Sequence, residues 1–206
     1  MNKTALRTGV LLAVLAAATA TTAIAPAASA TEAPAAPAAA VATTTASIKG
    51  AARMEFPAPG NDIRVTVDAH GTYTSKSPIF PTKSSGTFRI SHKIDQPNGK
   101  KPLVFWGDFT VDCLTTGGPN ATVTGRLVRT SPGHPWRKEL DPHTRMGVSF
   151  HVAGKDGGPS RIGLSGATKK GEPLLTKCMA PAPDAKVVEG GYVLTDKGPL
   201  SQDGRK

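Results

Sequence analysis

The chain has 206 residues, a formal net charge of +10 and two cysteines. Its length suits one domain with a core of its own, so it does not need the dense disulfides of a minimal scaffold. Aromatic residues make up 5% of it, too few for a surface built on base stacking, and no nucleic-acid motif accompanies the positive charge.

The chain opens M-N-K-T-A-L-R-T, with Lys3 and Arg7 ahead of an apolar run, Gly9 to Ala20. Ala28-Ser29-Ala30 then offers the small residues a signal peptidase reads, so residues 1–30 are expected to be a secretory signal peptide. The apolar run falls short of the ~20 residues a spanning helix needs. Its removal takes Lys3 and Arg7 and lowers the charge from +10 to +8. Residues 31–46 are mostly Ala, Pro and Thr and read as a flexible linker, because they offer little apolar surface to offset ordering. The expected product is secreted and extracellular, without a membrane anchor after cleavage. An oxidising environment favours a disulfide between Cys113 and Cys178, the alternatives being free thiols or half of a metal site.

Residues 47–200 read as the domain, with 201–206 a polar tail. Ser47 to Phe56 alternates Ile48, Gly50, Ala52, Met54 and Phe56 inward, and Asp62 to His70 alternates Ile63, Val65, Val67 and Ala69 inward. Gly71 to Ser85 reads as a long loop pinned to the core by Phe80. Gly86 to Lys93 is a short strand with Phe88 and Ile90 inward. Leu103 to Thr130 is the clearest hairpin. Phe105, Gly107, Phe109, Val111 and Cys113 share one face of its first arm, while Trp106, Asp108, Thr110 and Asp112 share the other. Ala121, Val123, Gly125 and Leu127 face inward from the second arm. Ser131 to Thr144 is irregular. Arg145 to Ala153, Arg161 to Ala167 and Lys186 to Asp196 complete about eight strands, with no helical periodicity over a useful length. The fold class is all-β: a single antiparallel β-barrel or β-sandwich of about eight strands with one disulfide. Glycines inside strands, at Gly107, Gly125 and Gly147, favour the barrel.

No nucleophile elbow, H-E-x-x-H or phosphate-binding loop is present. His134, His143 and His151 are the weak metal candidates, at spacings that match no zinc pattern, so neither metal nor cofactor is expected. Asp108 and Asp112 form either an acid pair or partners for Arg126 or Arg129 across the hairpin. Basic doublets occur at Lys100-Lys101, Arg137-Lys138 and Lys169-Lys170, all in expected turns, and would form an anion-binding patch if those turns gather at one end. Trp106, Trp136, Arg137 and Lys138 make the candidate ligand surface. Trp106 is either covered by the Trp136 loop or lines that surface.

The run G-T-F-R-I-S-H at 86–92, followed by G-D-F-T-V-D-C-L-T-T-G-G-P-N-A-T-V-T-G at 107–125, with D-I-R-V-T-V-D-A-H before it and Lys177-Cys178 after it, resembles small secreted actinobacterial proteins labelled repetin-like. The resemblance spans roughly 47–195. It implies an exported β-rich domain and carries over no catalytic residue.

The expected function is therefore a secreted, non-enzymatic binding module for an extracellular or cell-wall partner, an anionic wall polymer or an extracellular protein. Two alternatives stand beside it. One is a small barrel carrying an apolar ligand, with Trp106 or Phe80 near the mouth. The other is an uncharacterised hydrolase or isomerase using His143, His151 or Asp108.

Overall fold

The computed structural model describes residues 41–140, 144–154 and 157–196. The expected signal peptide and tail, and residues 31–40 of the linker, lie outside the described residues. The alternating runs become eight strands: β1 (Thr43–Met54), β2 (Asn61–Thr74), β3 (Lys83–Ile94), β4 (Leu103–Gly117), β5 (Asn120–Thr130), β6 (Arg145–His151), β7 (Arg161–Leu164) and β8 (Ala185–Thr195). Each pairs antiparallel with the next, and β8 returns to β1, so the sheet closes into a barrel. In such a meander the connections alternate between two ends. Those after β1, β3, β5 and β7 lie at one end, here called the cap end. Those after β2, β4 and β6 lie at the other, the tip end, where β1 begins and β8 finishes.

Eight strands leave an interior about wide enough for side chains to fill. Phe88 and Phe109 stack inside with centroids 4.5 Å apart, and Phe150 meets Tyr192 edge-on at 4.8 Å. Glycines make room for the rings. A Cβ on Gly125 would lie 2.7 Å from Phe88, and one on Gly50 would lie 3.0 Å from the Tyr192 ring. Tyr192 donates to the Val65 carbonyl at 2.9 Å, and burial pushes its phenol up. Ile48, Val65, Val67, Leu114, Val123, Val148 and Ile162 fill the space between the rings. The centre of the barrel is thus occupied by its own side chains.

Several boundaries differ from those read in the sequence. β1 starts at Thr43, before Ser47, because Thr43 to Ala46 pair with Thr74 to Gly71 and bury Ala46. It ends at Met54, leaving Phe56 39% exposed instead of inward. β2 runs on to Thr74, which brings Tyr73 inside to donate to the Leu114 carbonyl at 2.7 Å. The loop is therefore only 75–82, and Phe80 is 58% exposed instead of buried in the core. A single turn of helix, α1 (Trp136–Glu139), interrupts the irregular stretch at 131–144.

Cys113 is the main correction to facing. The register of β4 against β5 shifts between Val111 and Cys113. An inserted residue flips the faces beyond it, so Leu114 joins the core and Cys113 turns outward, opposite Thr124. There it bonds to Cys178 (S–S 2.06 Å). The bond fastens the β7–β8 connection across the outside of the wall. Along this strap the Leu175 carbonyl accepts from Arg145 (2.7 Å), the Cys178 amide donates to the Thr124 hydroxyl (3.2 Å), and the Pro181 carbonyl accepts from Ser149 (2.5 Å). Gly147 and Gly163 lie beneath it because a Cβ at either would strike a strap carbonyl, of Met179 or Ala182.

Candidate binding mouth at the cap end

The cap end is closed in part by α1. Pro135 and Trp136 follow His134, whose Nδ1 accepts the Trp136 backbone N–H at 3.1 Å. That bond fixes the neutral imidazole with its proton on Nε2. The indole lies against Gly107 and 6.1 Å from Phe109 between centroids. A Cβ on Gly107 would come within 2.8 Å of the indole. His134 packs on Trp136 (4.4 Å) and edge-on to Phe105 (5.4 Å).

Beside this stopper lies an apolar cleft of about 330 Å³, lined by Ile63, Ile90, His92, Phe105, Trp136 and Leu164 among others. That is the lower end of the ~300–1,000 Å³ typical of small-molecule sites. Two histidines bring polarity to it. His92 meets the Asn61 side-chain oxygen at 2.6 Å, and burial holds its pKa below the usual histidine value. Burial does the same at His134, where the nearby Glu139 carboxylate pulls upward and His92 adds a smaller downward push.

All three basic doublets surround this end: Lys100-Lys101 between β3 and β4, Arg137-Lys138 on α1, Lys169-Lys170 between β7 and β8. The six side chains are exposed, and none has a carboxylate partner among the described residues. Among the described residues the connections at this end also carry Glu55, Asp95, Glu139, Glu172 and Asp184, so the rim is basic in doublets rather than throughout.

The barrel wall differs, because many of its charges are matched. Glu189 receives Arg53 and Arg64, Asp68 receives Lys49, and Asp108 receives Arg89 and Arg129. Asp112 accepts from Thr124 at 2.6 Å and from Arg145 at 2.8 Å, with Arg126 at 3.7 Å. Hydrogen bonds hold three of these carboxyls below the usual range: from Arg64 and then Arg53 at Glu189, from Lys49 at Asp68, and from Arg89 and then Arg129 at Asp108. Asp108 and Asp112 are arginine partners on separate rungs, not an acid pair.

The residues singled out from sequence are thereby separated. Trp136, Arg137 and Lys138 belong to the mouth. Trp106 lies half-buried on the outer wall, with the Arg89 guanidinium 4.5 Å and that of Arg129 5.3 Å from its ring, so arginines cover it instead of the Trp136 loop. His134 is at the cap end. His151 is at the tip end, 2.9 Å from the Asn120 side-chain oxygen. His143 lies outside the described residues. Among the described residues no three His, Cys, Asp or Glu side chains group as metal ligands. His92 and Phe105 are mouth residues that sequence reasoning did not select as a site. His92 continues the inward alternation of Phe88 and Ile90, which is the signal that marks it. Scans of protein-family models, curated proteins and solved structures gave no match to this chain.

Proposed function

We propose that this chain is a secreted, non-enzymatic binding module whose cap end engages an anionic extracellular or cell-wall partner that also presents an apolar group. One observation carries this reading: three exposed basic doublets, without carboxylate partners among the described residues, gather at the same end as an apolar cleft. Exposed cations attract an anion over about a Debye length, and the cleft accepts what the anion carries. The packed barrel centre favours a ligand at the mouth over one held deep inside. Asp108, matched by two arginines, and His151, at the opposite end from His134, offer no convergent set for hydrolase or isomerase chemistry. The leader-like first 30 residues and the disulfide support export. Among the described residues no helix is long and apolar enough to cross a membrane.

The test is a titration at low ionic strength with dodecanoate, with polyphosphate and with dodecyl maltoside, read by Trp136 fluorescence in a Trp106→Phe background. Dodecanoate is expected to bind saturably and shift the Trp136 emission, and Arg137→Glu/Lys138→Glu to weaken it about tenfold. Polyphosphate binding that leaves Trp136 silent would confine recognition to the rim. Absence of saturable binding by any anion would end the proposal.

A further inference from the structure

The tip end carries a different surface. The β2–β3 loop reads S-K-S-P-I-F-P-T across 75–82, and its centre is the most exposed pair of adjacent large apolar side chains described: Ile79 is 60% and Phe80 58% exposed. Val41, 43% exposed, lies by the base of the loop, where the Ser75 amide donates to the Ala42 carbonyl at 3.0 Å.

The loop is held rather than slack. The Ser77 amide donates to the Thr74 carbonyl (2.9 Å), and the Ser77 hydroxyl donates across the turn to the Phe80 carbonyl (2.7 Å). Thr82 donates to the Thr72 carbonyl through both its amide (2.7 Å) and its hydroxyl (3.1 Å). Pro78 and Pro81 restrict the backbone on either side of the pair. The two side chains are therefore displayed in a fixed turn, and docking them orders little that is not already ordered. Lys76 and Lys83 flank the tip, both exposed and without a carboxylate partner among the described residues.

We infer that this loop is a membrane-contact tip: Ile79 and Phe80 enter the headgroup region of an anionic bilayer while Lys76 and Lys83 meet its surface charge. A rigid apolar point between two cations matches an interface that is apolar beneath and negative above. The flanking lysines favour a surface of extended negative charge over a purely apolar groove. The inference is independent of the mouth, which lies at the opposite end of the barrel.

The experiment is vesicle co-sedimentation of residues 31–206. These contain the whole barrel and leave out the apolar run at 9–20, which would itself bind lipid. Vesicles of equal parts phosphatidylglycerol and phosphatidylcholine are compared with pure phosphatidylcholine. The wild-type chain is expected to sediment with the anionic vesicles, and raised salt to weaken that binding. Ile79→Ser/Phe80→Ser should reduce it about tenfold, and Lys76→Gln/Lys83→Gln should reduce it less. Both apolar side chains are exposed, so the serine variant should keep the wild-type melting temperature. Independently, the Phe80→Trp variant should show a blue-shifted emission on adding anionic vesicles. The inference fails if the chain does not sediment, if neutral vesicles bind as well, or if the serine variant binds like wild type. It also fails if adhesion is abolished by Arg137→Glu/Lys138→Glu instead, which would place lipid contact at the cap end.

Discussion

His134 shows how one side chain ties the stopper to pH. Its Nδ1 accepts the Trp136 N–H, a role that ends when that nitrogen is protonated. Burial lowers its pKa in the fold and lowers that of His92 as well. Below the ordinary histidine value of 6.5 the unfolded chain therefore binds more protons than the folded one, and stability falls as pH falls. The loss should begin as pH drops through about 6.5 and level off once the folded imidazoles also protonate. Melting temperatures between pH 8 and pH 5 should show it, and His134→Asn, which keeps an acceptor without a proton to gain, should flatten part of the slope. A profile unchanged by that substitution would remove His134 from the linkage. The role was hidden in the sequence. A histidine after Pro-Gly in an irregular stretch looks like a solvated turn residue, and only the ring contacts with Phe105 and Trp136 bury it.

Among the elements, the strands were the most legible part and the strap the least. Period-two alternation placed β2 and β5 with their inward faces correct, because one dry and one wet face is how a sheet strand is written in sequence. The bulge in β4 left no such mark. A single inserted residue reverses facing without altering composition, so Cys113 read as core. The strap is a coil whose bonds to Arg145, Ser149 and Thr124 each span thirty or more positions, which no local pattern records. Its fastening is testable. Closing a loop of 65 positions contributes up to about 4 kcal/mol on the chain-entropy model. A Cys113→Ser/Cys178→Ser chain should melt roughly 8–16 °C lower. Trypsin should also reach Lys177 faster in it, since the strap would keep only its hydrogen bonds. Equal cleavage rates would show that those bonds alone hold the strap down.

At the scale of the whole molecule, the sequence left barrel and sandwich open because the deciding contact is between the first and last strands. Ser47 to Met54 pair with Thr195 to Val187, and nothing local foretells it. The ring is uneven. β1 and β2 share twelve paired positions, whereas β7 and β8 share two, Arg161 with Lys186 and Ile162 with Ala185. Amide exchange should therefore be fastest, among strand residues, along β7 and at the start of β8, and slowest in β2, which is long and flanked on both sides. Protection in β7 matching that in β2 would mean the strap reinforces that seam more than its pairing indicates.

The pairing of β1 with β8 has a mechanical consequence. Both strands leave the barrel at the tip end, so tension applied through the two ends of the chain pulls their ladder apart one rung at a time, from Ser47 and Thr195 onward. Rungs that break in sequence resist far less than rungs loaded together. The protein should thus be soft to stretching even where it is resistant to heat. The yielding has a limit set by Cys113 and Cys178. Chain drawn out from the C-terminal side stops at Cys178 and from the N-terminal side at Cys113, so the intervening segment with Trp136 and the α1 cap lies beyond the reach of the force.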